Sequence, residues 1–408
     1  MAQIAVLGHG VVGSGVVELL EKNAEGIARR AGEVIEVKRI LDLREFPELH
    51  YADKFTKSFD EIEADPEISV VVEVMGGVHP AYDYAVRALN SGKSVVTSNK
   101  ELVAKKGAEL LKTAKENGQN FLFEASVGGG IPIIRPLHQC LAANEIDEIA
   151  GILNGTTNFI LTKMRADNMS FADALALAQK LGYAEANPAA DVEGHDTCRK
   201  ICILASLAFG SHVYPDNVYT QGINELDLSD LYYAEDGGYA VKLIGQARRE
   251  DDKVFAMVSP ALIPSESQLA SIGDVYNGIL VRGNATGDVV FYGRGAGKLP
   301  TASAVVSDVI DCIHADDTIM SLQWADSSEN NVLPHDSAEF AYYIRCKGSL
   351  ADVGSVFGTF DQLSRQNRPD DEIAFTVSAI SGSSLNDLFA RAKSKGIEVL
   401  SSIRILNY

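Results

Sequence analysis

Gln3-Ile4-Ala5-Val6-Leu7-Gly8-His9-Gly10-Val11-Val12-Gly13 is the stretch that decides the fold. An apolar run reaches Leu7, glycines follow at G-x-G-x-x-G spacing, and a helical pattern runs over residues 14–22. Gly8 allows a tight turn, Gly10 lets a phosphate approach the backbone, and Gly13 lets helix and strand pack closely. Val11 and Val12 fill the variable positions of that turn. A phosphate placed there meets the free N–H groups and positive end of a helix. The strand before it and the helix after it favour a nucleotide turn over a plain glycine loop.

The same alternation continues outward. Residues 34–41, 70–74, 94–97 and 121–123 read as further strands. One helix starts at His79 with Pro80 in its first position, and another runs over residues 99–117 with Gly118 as its stop. Alternating strands and helices imply a parallel sheet with right-handed crossovers, hence an α/β dinucleotide-binding (Rossmann) domain over residues 1–135. Asp42 ends the second strand, where an acid bonds the adenosine ribose. Arg44 lies close enough to meet a 2′-phosphate instead, so NAD and NADP both stay open.

Two segments at the carboxyl ends of strands carry chemistry, because ligands of such sheets sit there. Asn99 is a natural N-cap, which puts Lys100 in the first helical turn, against the preference of the helix dipole. That placement suits a functional lysine, and a solvated lysine costs little there. Glu124 opens EASVGGGIP, a glycine run that fits a hinge between domains or carbonyl oxygens gathered around a hard cation.

The bulk properties narrow the class. A chain of 408 residues suits two or three domains. The net charge of -20 argues against nucleic acid and anionic membranes. Five cysteines without a paired framework fit reduced thiols in a cytoplasmic protein. Cys198 and Cys202 read as small core residues rather than metal ligands. The first residues lack a basic region and do not read as a signal peptide. No apolar run is long enough to span a bilayer.

After Pro136 the pattern changes to an α+β unit over residues 136–300 with one open sheet, whose apolar faces suit pairing with a second copy. Strand-like runs cover residues 146–153, 239–247, 254–262, 276–281 and 289–292, with helices from Phe159 and over 171–181 and 197–209. Asn154-Gly155-Thr156-Thr157-Asn158 is a turn rich in hydrogen-bonding side chains. Gly182 to Lys200 packs Glu185, Asp191, Glu193 and Asp196 with one histidine and one lysine ahead of an apolar helix. Asp196 and Lys200 are four apart and share a helix face. Such a loop can bind a polar substrate and move a proton; a capping loop with a surface ion pair has the same residues. A second glycine-rich turn, residues 293–301, precedes a helix that returns to complete the first domain over residues 301–325.

GHGVVG, TSNK, EASVGGGIP, NGTTN, GYAEANPAADVEGHDTCRK and GRGAGKLPTA, in this order, closely resemble homoserine dehydrogenase over roughly the first three quarters of the chain. The resemblance implies reversible reduction of L-aspartate 4-semialdehyde to L-homoserine with NADPH or NADH, on the route to threonine and methionine. By position it implies Lys200 as catalytic lysine and Lys100 as the second lysine at the reacting oxygen. Glu185 and Asp196 match residues that hold the substrate ammonium, with Asp191 in the same acidic loop. Gly10, Val12, Lys100, Gly182, Glu185 and Gly297 match positions lining the cofactor. Glu124 with the carbonyls of Val127, Gly129 and Ile131 matches a sodium site. The chemistry agrees: hydride addition to an aldehyde leaves an alkoxide that needs a proton donor and positive charge.

Residues 330–337 read as a linker to a third unit over residues 336–408. Strands over 340–346, 373–380 and 397–406, helices over 350–363 and 385–395, and a poorly marked strand near Gln366 make a β-α-β-β-α-β order. The unit resembles an ACT regulatory domain, which implies a link to threonine inhibition. Lys347-Gly348-Ser349-Leu350-Ala351-Asp352 lacks the Asp-x-Pro-Gly turn that contacts an amino-acid effector, so the expected response to threonine is weak or absent, in a homodimer or homotetramer. Two rivals are a different Rossmann oxidoreductase for a neighbouring amino acid and a non-catalytic nucleotide sensor. The first could be a semialdehyde-phosphorylating or an amine-forming enzyme; the phosphorylating kind needs a nucleophilic cysteine with a histidine partner, and no cysteine here sits in a loop that suits it, while the second has no need of both Lys100 and Lys200.

Overall fold

β1 (Ala2–Leu7), α1 (Val11–Lys22), α2 (Ala24–Ala31), β2 (Ile35–Leu41), β3 (Phe55–Thr56), α3 (Phe59–Ala64), β4 (Ile68–Glu73), α4 (Ala81–Asn90), β5 (Ser94–Thr97), α5 (Lys100–Glu116) and β6 (Phe121–Leu122) form the first unit of this computed structural model, which describes residues 1–314, 322–327, 330–365 and 368–408. The strands lie in the order β3-β2-β1-β4-β5-β6, and every pair is parallel. Helices cover both faces of such a sheet, so β1, β4 and β5 are near-continuous buried apolar runs rather than alternating ones. The short β3 has no apolar run of its own and escaped the sequence pattern. Two helix starts also differ from expectation. α1 begins at Val11, not Ser14, and Pro80 is the N-cap of α4 rather than its first helical residue.

The second sheet is larger than expected. Its helical and strand elements are β7 (Ile146–Ile152), α6 (Gly155–Ala166), α7 (Phe171–Lys180), α8 (Ala189–Val192), α9 (His195–Phe209), β8 (Tyr219–Thr220), α10 (Leu228–Asp236), β9 (Tyr239–Glu250), β10 (Lys253–Pro264), β11 (Tyr276–Gly283) and β12 (Gly287–Arg294). α11 (Lys298–His314) follows, then β13 (Glu339–Lys347), α12 (Leu350–Phe357), β14 (Asp361–Leu363), β15 (Glu372–Ser381), α13 (Gly382–Ser394) and β16 (Glu398–Ile405). One mixed sheet runs β12-β11-β7-β9-β10-β16-β13-β15-β14, with β8 beside β10.

The C-terminal unit is therefore not a separate body on a linker. Its last strand, β16, pairs in parallel with β10 at Ala261↔Arg404 and Leu262↔Ile405, so the sheet expected over residues 136–300 continues into this unit. A buried polar network reinforces the joint. Arg345 on β13 donates to Asp230 of α10 at 2.7 Å and to Glu372 of β15 at 2.9 Å, and Tyr343 donates to Asp230 at 3.0 Å. Within the unit the expected β-α-β-β-α-β order is present. The helix expected over 350–363 stops at Phe357, because Gly358 takes φ +73°, and residues 361–363 turn into a strand instead. The strand expected near Gln366 falls on residues outside those described.

α11 begins at Lys298, inside the turn expected to reach Thr301, and ends at His314; residues 322–325 are not helical. It returns to the first unit as expected and packs on α1. A Cβ at Gly15 would lie 2.9 Å from the Lys298 carbonyl oxygen, closer than a side chain tolerates without the backbone shifting. Trp324 closes the same side against α5, its indole N–H donating to His212 Nδ1 at 2.9 Å. No helix among the described residues is long and apolar enough to cross a membrane.

Candidate active site

The glycine turn has the form a dinucleotide needs. Gly8 sits at φ +95°, and a Cβ there would lie 3.2 Å from the Val74 carbonyl oxygen. A Cβ on Gly13 would lie 2.0 Å from the Gly8 carbonyl oxygen, so strand and helix meet through bare backbone. Gly10 is different: nothing lies within 4 Å of where its Cβ would be, and no side chain caps α1 at this residue. Open space before uncapped helix amides is a phosphate cradle. Val11 is exposed beside it and Val12 half-buried. A cleft of about 470 Å³ continues from Gly8 and Gly10 past Asp42, Arg44, Lys57 and Tyr84.

Asp42 is not free in the way a ribose partner would be. Its carboxylate accepts the His9 N–H at 2.7 Å and the Arg44 guanidinium at 2.9 and 2.8 Å. The Arg44 hydrogen bonds hold the carboxyl below the usual range against the cost of burial. Acid and base expected as alternatives are thus one bidentate pair.

The second half of the site lies where α5 meets α9. Asp196, in the first turn of α9, is buried and so is Lys200 one turn later. Lys200 Nζ lies 2.9 Å from Asp196 Oδ2 and donates to the Leu153 carbonyl at 2.7 Å. Lys100 reaches the other oxygen, Oδ1, from the nucleotide-binding unit, with its side chain 41% exposed. Burial opposes charge on Asp196, but Lys200 and Lys100 outweigh it and hold the carboxyl below its ordinary range. The lysines diverge. Asp196 raises Lys100 against the effect of burial, whereas burial lowers Lys200 despite Asp196. One ammonium is thereby fixed as a cation and the other is made easier to deprotonate. Burial, followed by the negative charge of Asp196, raises Asp191.

Two residues that sequence reasoning passed over complete this arrangement. Asn154 caps α6 by accepting from the Thr157 N–H at 2.8 Å, while its amide donates to Asp191 at 2.7 Å and Asp196 at 2.9 Å. It was visible only as part of a polar turn. Glu73, fully buried at the end of β4, accepts from Thr97 Oγ1 at 2.6 Å, and Thr97 Oγ1 in turn accepts the Asn99 N–H at 2.9 Å. This braces the turn that delivers Lys100. An acid ending an otherwise apolar strand was its only signal.

Other expected residues stand apart from the pair. Glu185 is exposed, and its side chain has no hydrogen-bond or ion-pair partner among the described residues. Gly182 ends α7 at φ +77° in open space. Gly297 is exposed, one residue ahead of Lys298, which pairs with Glu18 of α1 at 2.8 Å. Glu124 is buried, and its carboxylate accepts the backbone N–H groups of Ile133 at 2.6 Å, Ile134 at 2.9 Å and Arg135 at 2.8 Å, which fixes the turn that carries Val127, Gly129 and Ile131. Gly129, at φ +57°, packs where a Cβ would lie 2.4 Å from the Gly295 carbonyl oxygen. Among the described residues no group of His, Cys, Asp and Glu side chains is arranged to hold a metal ion.

Comparison with known proteins gives one answer from several directions. Residues 8–124 match the family model described as homoserine dehydrogenase, NAD binding domain, and residues 132–310 match that described as homoserine dehydrogenase. The chain is 42% identical over 367 residues to the homoserine dehydrogenase of Pseudomonas aeruginosa, covering 87% of this chain and 85% of that protein. It is 45% identical over 319 residues to that of Synechocystis, covering 76% and 73%. A crystal structure of a homoserine dehydrogenase from Thiobacillus denitrificans superposes with a TM-score of 0.90 at 36% identity, covering 100% of this chain and 98% of that one. A hyperthermophilic archaeal homoserine dehydrogenase mutant in complex with NADPH superposes with a TM-score of 0.66 at 28% identity, over 76% and 97%. With family models over both of its parts and these relatives over most of its length, this chain belongs to the homoserine dehydrogenases, NAD(P)-dependent oxidoreductases of amino-acid metabolism.

Proposed function

We propose that the chain interconverts L-aspartate 4-semialdehyde and L-homoserine, with Lys200 as proton donor to the oxygen that was the aldehyde. The observation that carries this is the buried Lys200 ammonium, held between Asp196 and the Leu153 carbonyl. Bound at the Gly8–Gly13 turn, a nicotinamide dinucleotide supplies the hydride. Lys200, lowered by burial, gives up its proton readily, and Lys100 stays charged beside the developing alkoxide. Asp196 and Asp191 attract the substrate ammonium, with Asn154 holding the two acids together, and exposed Glu185 closes over it from the loop after α7. Val12, Gly182 and Gly297 line the nucleotide. Nicotinamide absorbance with homoserine, run separately with NAD and NADP, tests the reading; no change with either ends it.

NADP is the better fit to the nucleotide cleft. Arg44 and Lys57 both line it, and Asp42 already has the Arg44 guanidinium on its carboxylate, which reduces repulsion of a 2′-phosphate. The carbonyls of Val127, Gly129 and Ile131 are given no hydrogen-bond donor among the described residues, which suits a monovalent cation held by main-chain oxygens. Activity in sodium chloride against N-methylglucamine chloride tests that. The C-terminal unit is ACT-like in element order. Ser349, at the place of the missing effector turn, caps α12 by accepting the Asp352 N–H at 3.1 Å, which supports a module that responds weakly or not at all to threonine. The large sheet ends on β12 and β14, outer strands through which copies can associate as a homodimer or homotetramer, and light scattering measures that size.

A further inference from the structure

Lys242, on β9, is buried and has no carboxylate partner among the described residues. Its ammonium donates to the Ile272 carbonyl at 2.5 Å and to Asn158 Oδ1 at 3.2 Å, which leaves one of its three N–H bonds. Two neutral acceptors do not balance a full positive charge away from water. Burial lowers this ammonium to about 8.

The residue lines a cavity of about 310 Å³ between α6, α10, β9 and the loop after β10. That is at the small end of the ~300–1,000 Å³ range of ligand pockets. The other charged groups lining it are Arg165 and Glu235, and they neutralise each other as an ion pair. Arg165 Nε is buried without a hydrogen-bond partner. The cavity therefore carries the excess of one cation, with unused N–H donors on its charged side. Leu231, Val241 and Ala270 supply an apolar wall.

We propose that this cavity binds a small aliphatic monocarboxylate, its carboxylate on Lys242 and its tail against Leu231, Val241 and Ala270. A single negative charge matches the single excess cation, whereas a phosphate dianion would be left under-compensated and short of donors. The site is separate from the hydride-transfer machinery, although α6 touches both: Asn154 caps the start of that helix, and Thr162 and Arg165 near its end line the cavity.

Titration calorimetry of the full chain with sodium butyrate tests this, with butyramide as the uncharged isostere and sodium chloride as the salt control. We expect saturable heat with butyrate alone, weakening on the order of tenfold per pH unit once Lys242 is deprotonated above about pH 8. Lys242→Met should abolish it. Ala270→Leu, which adds bulk to the apolar wall and keeps Lys242, should weaken it at least tenfold. No saturable heat with the unaltered chain, equal binding of butyramide, or unchanged binding in Ala270→Leu overturns the proposal. The last of these decides the matter even if Lys242→Met does not fold.

Discussion

Lys200 and Asp196 stand one turn apart on α9 with 2.9 Å between Nζ and Oδ2, and both are buried. Lys100 approaches the second carboxylate oxygen from a different domain. A single carboxylate thus organises two ammonium groups with opposite tendencies, one easier to deprotonate and one harder.

Lys200→Ala removes the proposed proton donor. Turnover should fall at least ~100-fold, the scale of a lost acid–base group, with the KM for homoserine little changed. Steady-state kinetics on folded variant checks it; near-normal turnover would favour a sensing role for the fold.

Asn154→Ala should act chiefly on substrate binding. It strips a cap worth ~1 kcal/mol from α6 and releases Asp191 and Asp196 from a shared donor. We expect KM for homoserine to rise more than kcat falls, and urea unfolding to show the lost cap. An unchanged KM would mean the two acids hold their positions unaided.

Arg44→Leu separates the cofactors. Removing the guanidinium takes away the proposed 2′-phosphate partner and leaves Asp42 with main-chain N–H donors only, so kcat/KM should fall by about tenfold or more with NADPH and less with NADH. Equal losses with both would place the 2′-phosphate elsewhere.

Arg345→Met leaves Asp230 buried without its close cation and Glu372 with Arg365 alone, and removing one partner of a buried pair costs ~3–5 kcal/mol. Denaturant unfolding should show this loss. Threonine added to the unaltered enzyme should leave the rate nearly constant; strong cooperative inhibition would show that the Ser349 turn is not a barrier to an effector.

Lys242 sets a pH signature of stability. Its folded value, about 8, lies below its ordinary 10.5, so between these limits the unfolded chain holds a proton that the folded chain lacks. Stability from this group therefore rises with pH across that window, and its penalty is present in full below it. The difference in unfolding free energy between the unaltered chain and Lys242→Met, followed from pH 7 to 11 (~ the span of the titration), should change in that direction.

Local rules made the first domain readable. The glycine spacing from Gly8 to Gly13, the apolar strands and the Asn99 cap each act within a few residues, and all appear where pattern places them. Short elements were not readable in the same way. β3 and β14 are too brief to carry a period, and Gly358 redirects the chain in one residue. The Asp196–Lys200 pair was legible because residues four apart share a helix face. Asn154 and Glu73 were hidden because their partners are distant in sequence.

By itself the sequence determined the parallel nucleotide sheet, the acid-rich loop and the two lysines, since helix and strand periods and turn chemistry are local. Only the tertiary structure decided that Asp42 and Arg44 are paired rather than alternatives, that Glu124 accepts from backbone amides, and that β16 joins β10. The same holds for the meeting of Lys100 with Asp196. Each of those depends on which hydrogen-bonding groups remain unsatisfied once distant segments are buried against one another, and no window along the chain contains that information.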